Sequence, residues 1–167
     1  RDQPRSRGLG DVYKRQNLGS VEIKKGSKLE VIYTGAEKFK PAVSVSGTSL
    51  NIEQHVKVHL MTNIKNSDCT LTITIPDNVS LNSIQADLNM GDIKITNCNS
   101  DVFNLSVDMG SLKISGMDID KYSANLSVDL GDIKVNDSTY SHSYTNNAGS
   151  GKSINADVNL GDIKINK

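Results

Sequence analysis

Four groups of residues in this 167-residue chain have types and spacings that could do chemistry: His55 with His59, Cys69 with Cys98, the run Gly149-Ser150-Gly151-Lys152-Ser153, and a recurring Gly-Asp pair. Histidines four apart can hold zinc when a helix puts them on one face. Here Val56, Val58 and Leu60 alternate with His55, Lys57 and His59, so the segment reads as a strand with the histidines on an exposed polar face. No nearby cysteine or carboxylate completes a ligand spacing. The Gly-Lys-Ser of residues 151–153 matches the end of a phosphate-binding loop. That loop needs glycine where Asn146 stands, a strand before it and a helix after it. Neither requirement is met, and a flexible glycine-serine turn is the better reading. Two cysteines make no disulfide framework. Cys69 begins a strong strand and Cys98 sits in a turn beyond Ile95, and both are expected as unpaired thiols. No Ser-His-Asp or Cys-His set, and no paired carboxylates in an evident pocket, can be made out. The sequence therefore assigns no catalytic, cofactor-binding or metal-ligating residue.

The Gly-Asp pairs belong to a phrase that occurs four times. The copies are Leu88-Asn89-Met90-Gly91-Asp92-Ile93-Lys94-Ile95, then residues 107–114, 128–135 and 158–165, with Ser111 in place of aspartate in the second. Calcium-binding β-rolls also stack glycine and aspartate, but on a ninefold Gly-Gly-x-Gly-x-Asp phrase. This chain has one glycine per copy and a lysine two residues after each aspartate. The columns Asp92, Asp132, Asp162 and Lys94, Lys113, Lys134, Lys164 read instead as a surface ladder in which opposite charges offset each other.

The elements that carry these columns follow from the apolar pattern. Leu88 and Met90 lie two apart, as do Ile93 and Ile95, but three residues separate Met90 from Ile93. Alternation changes parity at Gly91, and glycine turns a corner at low cost. Each copy reads as strand, glycine corner, strand, with Leu88, Met90, Ile93, Ile95 and their counterparts inside. Successive glycines are 19, 21 and 30 residues apart, from Gly91 through Gly110 and Gly131 to Gly161. The expected fold is all-β: a parallel β-solenoid, or single-stranded β-helix, with short coils of about 20 residues. The long third interval holds an insertion near residues 138–150, expected as an exposed polar loop on one edge of the stack.

Residues 17–80 differ. Short alternating runs at residues 21–23, 29–33, 43–45, 49–52 and 56–60 are divided by turn signals, and Leu71-Thr72-Ile73-Thr74-Ile75 makes a strong strand ended by Pro76. They are expected as antiparallel hairpins capping the first coil of residues 81–167. Residues 17–167 then make one domain, and no segment shows helical periodicity of useful length.

The first 16 residues stand apart. All four arginines, Arg1, Arg5, Arg7 and Arg15, fall there. The stretch Asp11-Val12-Tyr13-Lys14-Arg15-Gln16 resembles the in-frame translation of a transposon end used to prepare sequencing libraries. Residues 1–16 therefore read as an added, disordered segment foreign to the domain. On that reading the native N-terminus is not in view, and a membrane tether could lie there. The whole chain has 19 basic and 19 acidic residues; residues 1–16 hold five and two of these, leaving 14 against 17, a net of −3. That balance lacks the clustered basic excess of a nucleic-acid binder, so no nucleic-acid partner is expected.

The segment Leu71-Thr72-Ile73-Thr74-Ile75-Pro76, the short link to Ser83-Ile84-Gln85-Ala86-Asp87-Leu88 and the repeated Gly-Asp-Ile-Lys endings carry a resemblance. Residues 17–167 resemble the bacterial putative-adhesin domains of unknown function, β-strand-repeat domains also described as toastrack-like. The resemblance implies a bacterial, extracytoplasmic and often membrane-anchored module, with some relatives linked to envelope-stress signalling. It brings no catalytic residues with it. The leading expectation is a non-enzymatic envelope or surface module that binds a protein or a cell-surface ligand without a cofactor. A structural spacer or self-associating solenoid is the alternative, and a carbohydrate-active β-helix enzyme fits least. For contact with a partner, Tyr140, His142 and Tyr144 in the 138–150 insertion are the expected residues, because tyrosines in a Ser/Asn/Gly setting bring large area at low entropic cost.

Overall fold

A computed structural model of the chain describes residues 10–37, 40–46, 49–53 and 69–167. His55, His59 and the strand expected at residues 56–60 lie outside the described residues.

The parity change at each glycine becomes a corner between two sheets. Strand β7 (Leu81–Met90) runs in one sheet, Gly91 turns the chain, and β8 (Ile93–Thr96) runs in the other. The same unit recurs in β9 (Ser100–Met109) with β10 (Leu112–Ser115), β11 (Ser123–Leu130) with β12 (Ile133–Val135), and β15 (Ser153–Leu160) with β16 (Ile163–Asn166). Two further units precede them: β1 (Asp11–Leu18) with β2 (Ser20–Gly26), and β5 (Ser49–Glu53) with β6 (Thr70–Pro76). All six units stack in parallel, so the fold is all-β with two parallel-rich sheets.

Antiparallel strands close both ends. At one end β3 (Glu30–Thr34) pairs with β6 and β4 (Ala42–Ser46) with β5. At the other, β13 (Ser138–Tyr140) pairs with β12 and β14 (Ser143–Asn146) with β11. The insertion expected as an edge loop is thus largely a pair of strands laid across the end of the stack. The N-terminal region likewise does more than cap, because β1 and β2 are parallel members of the sheets.

The units do not stack in chain order. The first sheet runs β14-β11-β15-β9-β7-β1-β5-β4 and the second β13-β12-β16-β10-β8-β2-β6-β3. The C-terminal unit lies between the two units that precede it in the chain, and the first lies between the second and third. Residues 1–16 are expected to be disordered, whereas Asp11–Leu18 form β1 between β5 and β7. The register sets Lys14 opposite Ala86 and Ile52, and Gln16 opposite Leu88, in columns that are apolar in their neighbours.

The core lies between the sheets. Ile84, Ala86 and Leu88 of β7 face inward, as do Phe103, Leu105 and Val107 of β9, against Ile93, Ile95, Leu112 and Ile114 of the other sheet. One column reads Ala86, Leu105, Ala156, Leu126, so small and large side chains alternate along the stack. Each fully buried isoleucine or leucine contributes roughly 1.5–3 kcal/mol of hydrophobic stabilisation. The expectation that Met90 and its counterparts lie inside is corrected: Met90 is half-buried, and Met109, Leu160 and Leu130 are 41%, 43% and 67% exposed. The residue before each glycine sits on the corner itself, at the rim of the stack, where strand alternation no longer aims it at the facing sheet.

Candidate functional site

Chemistry-bearing residues are displayed on the outer faces of the two sheets. On the second sheet the register aligns Lys134, Lys164, Lys113 and Lys94 in one straight column. Thr139 precedes Lys134 in that column and Glu22 follows Lys94. Adjacent strands are about 4.8 Å apart, so the lysines form a single-file row of cations. All four are exposed. Among the described residues the ion pairs are Lys28 with Glu30, Lys40 with Glu37, and Lys167 with Asp118, so none reaches the row.

Contrary to expectation, among the described residues no aspartate of the repeat phrase forms an ion pair with this row. Asp92 sits at its corner, where Oδ1 accepts a hydrogen bond from the Ser111 backbone N–H at 2.8 Å. Asp162 Oδ1 accepts likewise from the Asp132 N–H at 2.9 Å. These carboxylates tie one unit to the next. The glycines beside them stack as closely: Gly91, Gly110, Gly131 and Gly161 have φ of +140° to +146°. A Cβ on Gly110 would stand 1.7 Å from the Gly91 carbonyl oxygen. Among the described residues no group of three or more His, Cys, Asp or Glu could hold a metal.

The outer face of the first sheet carries two polar columns of interest. Ser127, Asp157, Ser106 and Asp87 form one, and Asp129, Asn159, Asp108 and Asn89 the next. Carboxylates alternate with hydroxyls or amides in both. The Ser127 hydroxyl donates to Asp157, and the Asn159 amide donates to Asp108. A shallow depression of about 210 Å³ lies on this face among Gln85, Asn104, Asn155 and Asp157. The Asn155 amide there donates to Asn104 Oδ1 at 3.4 Å.

The remaining sequence candidates have structural places. Lys152 is not in a strand-loop-helix but in the turn before β15, with its ammonium 5.8 Å from the centre of the Tyr122 ring. Ser150 Oγ donates to the Lys121 carbonyl. Cys69 and Cys98 are both buried and free, and β2 lies between β6 and β8, the strands beside them. Burial pushes the Cys98 thiol up to about 11. In the insertion, the Tyr140 and Tyr144 rings meet edge to face at 5.0 Å; Tyr144 packs on the core, and burial raises its hydroxyl pKa. The exposed His142 backbone carbonyl accepts from the Val128 N–H. The structure therefore brings Tyr140 and Tyr144 together at the stack end, apart from the lysine row. Sequence reasoning recognised the lysine column and its neighbouring aspartates, but among the described residues the two columns form no ion pairs with each other.

Comparison with known proteins follows from this geometry. The model of the family described as Toastrack DUF4097 matches residues 16–167. A solved structure of a putative cell adhesion protein from Clostridium sporogenes is similar, with a TM-score of 0.65 at 14% identity, covering 99% of this chain and 96% of that one. A putative adhesin from Bacteroides fragilis aligns at a TM-score of 0.32 and 9% identity, covering 98% and 95%. No curated protein sequence matches the chain.

Proposed function

The chain belongs to the Toastrack DUF4097 family, and from that premise we propose that it is a non-enzymatic binding module of the bacterial envelope or cell surface. One observation carries this reading: the repeat units turn charged side chains onto the outer faces, with one lysine from each of four units in register on one sheet, instead of converging them on a cleft. Flat, rigid, repetitive faces suit contact with extended ligands, because a stack of strands fixes the spacing of its contact groups. The name of the Clostridium sporogenes neighbour, a cell adhesion protein, is in keeping with this. Localisation outside the cytoplasm belongs to the same proposal, as does a role in reporting envelope stress through ligand occupancy.

The test uses the fluorescently labelled full chain on bacterial cell-envelope fractions, separated into wall polymer, membrane and protein. Saturable retention by one fraction supports the reading. Retention by none, together with turnover in a panel of glycosidase and esterase substrates, would overturn it.

A second reading has its own observation. The exposed rim of Leu130, Leu160 and Met109 is an apolar edge in strand register, which favours self-association. Concentration-dependent sedimentation that Leu130→Ser abolishes would establish it.

A further inference from the structure

The two faces of the stack treat charge in opposite ways. On the first sheet, across β11, β15, β9 and β7, carboxylates alternate with neutral hydroxyls or amides, and these units place their aspartates alternately in one column and the other: Asp129, Asp157, Asp108, Asp87; beyond β7 the register sets Arg15 opposite Asp87. Like charges are thereby kept from lying directly opposite, an arrangement that would be destabilising. The second sheet does the reverse, stacking four lysines in direct register with nothing between them. A row of this kind repels itself, and no ion pair of the described residues reaches it; Glu22 stands opposite Lys94, and the exposed Asp92, Asp132 and Asp162 lie two positions before three of its lysines. Beside it runs a second column of short hydrogen-bonding side chains, Thr96, Ser115 and Asn166, two residues on from Lys94, Lys113 and Lys164.

The geometry points to the lysine row as a docking track for a linear acidic polysaccharide lying along the stack axis. This rests on the surface-module reading above and names its ligand. The row is straight and one residue wide, so it fits a single extended chain of negative charges. A pyranose residue in such a chain advances by about one strand spacing, so the row spans about four sugars, and the carboxylates turned toward it meet its ammonium groups. In the neighbouring column the Ser115 hydroxyl and the Asn166 amide supply partners for sugar hydroxyls, while the Thr96 hydroxyl is buried. Glu22 ends the row with opposite charge and limits the track to four units. An anionic membrane would need a broad basic area, not a file. A second copy of this chain would offer the other face, whose carboxylates zigzag between two columns and do not match a straight row.

The experiment measures binding of the full chain to polygalacturonate by calorimetry at low and at high salt. Dextran, anionic phosphatidylglycerol vesicles and single-stranded oligo-dT are run beside it, and self-association is followed by sedimentation. The expected result is polygalacturonate binding that weakens as salt rises, because condensed counterions are displaced. Dextran should show none. Lys113→Gln with Lys164→Gln should lower affinity at least tenfold, whereas Lys28→Gln, an exposed lysine off the row, should leave it unchanged. Absence of polygalacturonate binding overturns the proposal. So does equal loss in the Lys28→Gln control, or row-dependent binding only to vesicles, to oligo-dT or to the chain itself. If the double variant still adheres to envelope fractions as the parent does, the track fails while the surface-module reading stands.

Discussion

Asp162 Oδ1 accepts the backbone N–H of Asp132 at 2.9 Å, joining residues thirty positions apart across neighbouring units of the stack. The two aspartates hold the same place in the repeat phrase, yet only Asp162 gives its carboxylate to this bond and only Asp132 gives its backbone. The expected outcome is an asymmetry. Asp162→Ala should lose about 1 kcal/mol, the net value of a hydrogen bond to a backbone donor. Asp132→Asn should stay within about 0.5 kcal/mol, as an exposed change away from special features does. Urea unfolding of both variants measures it, and equal losses would refute the assignment.

The glycine column gives a second contrast. Gly110→Ala places a Cβ 1.7 Å from the Gly91 carbonyl oxygen at φ +146°, so strain and overlap combine. A loss on the order of 3 kcal/mol or more is expected. Gly149→Ala, at φ +65° in open space, bears only the conformational cost of about 1 kcal/mol. Thermal unfolding of the pair separates contact from conformation.

A third prediction concerns β1. Lys14 and Gln16 stand in register with Ala86 and Leu88, in columns where neighbouring strands carry buried apolar residues. The double variant Lys14→Val, Gln16→Val should raise the melting temperature by roughly 2–8 °C, since it matches β1 to the apolar columns of its neighbouring strands. An unchanged or lower midpoint would show that these residues suit their place.

The fourth follows from Cys98. Its folded pKa is raised from 9.0 to about 11, by burial first, with Lys25 pulling the other way. An acid whose folded pKa is raised holds its proton while the unfolded chain releases it. The stabilisation is therefore complete below about pH 9 and is lost as pH climbs toward 11. Melting temperature should fall across that window, and Cys98→Ala should flatten the fall. Thiol reagents should leave Cys98 unmodified in the folded protein at pH 8.

Much of the fold was legible because the repeat phrase states its own geometry. Ile93 and Ile95 in phase, out of phase with Leu88 across a glycine, means two strands and a corner, and all three are buried. Met90 was misread because in-phase alternation does not reveal where a strand meets the rim. The stacking order was not legible either. Val107, Val128 and Val158 are interchangeable as neighbours of Leu88, so nothing in the phrase says which unit lies beside which. The lysine row was visible as a column. That Asp92 and Asp162 turn to backbone N–H groups instead of pairing with it is a matter of side-chain direction that spacing does not encode.

The place of the last unit bears on how the protein is made. β15 and β16, residues 153–166, lie between strands synthesised earlier, β9 and β11 in one sheet and β10 and β12 in the other. A ribosome delivers them after both neighbours. Until then the units on either side have no shared partner, and each presents an open strand edge. Ordinary repeat arrays can grow turn by turn from the N-terminus. Here β15 and β16 instead act as a keystone set between stones already laid. A nascent chain halted before them holds two unmatched edges, the condition in which strands recruit the wrong neighbour.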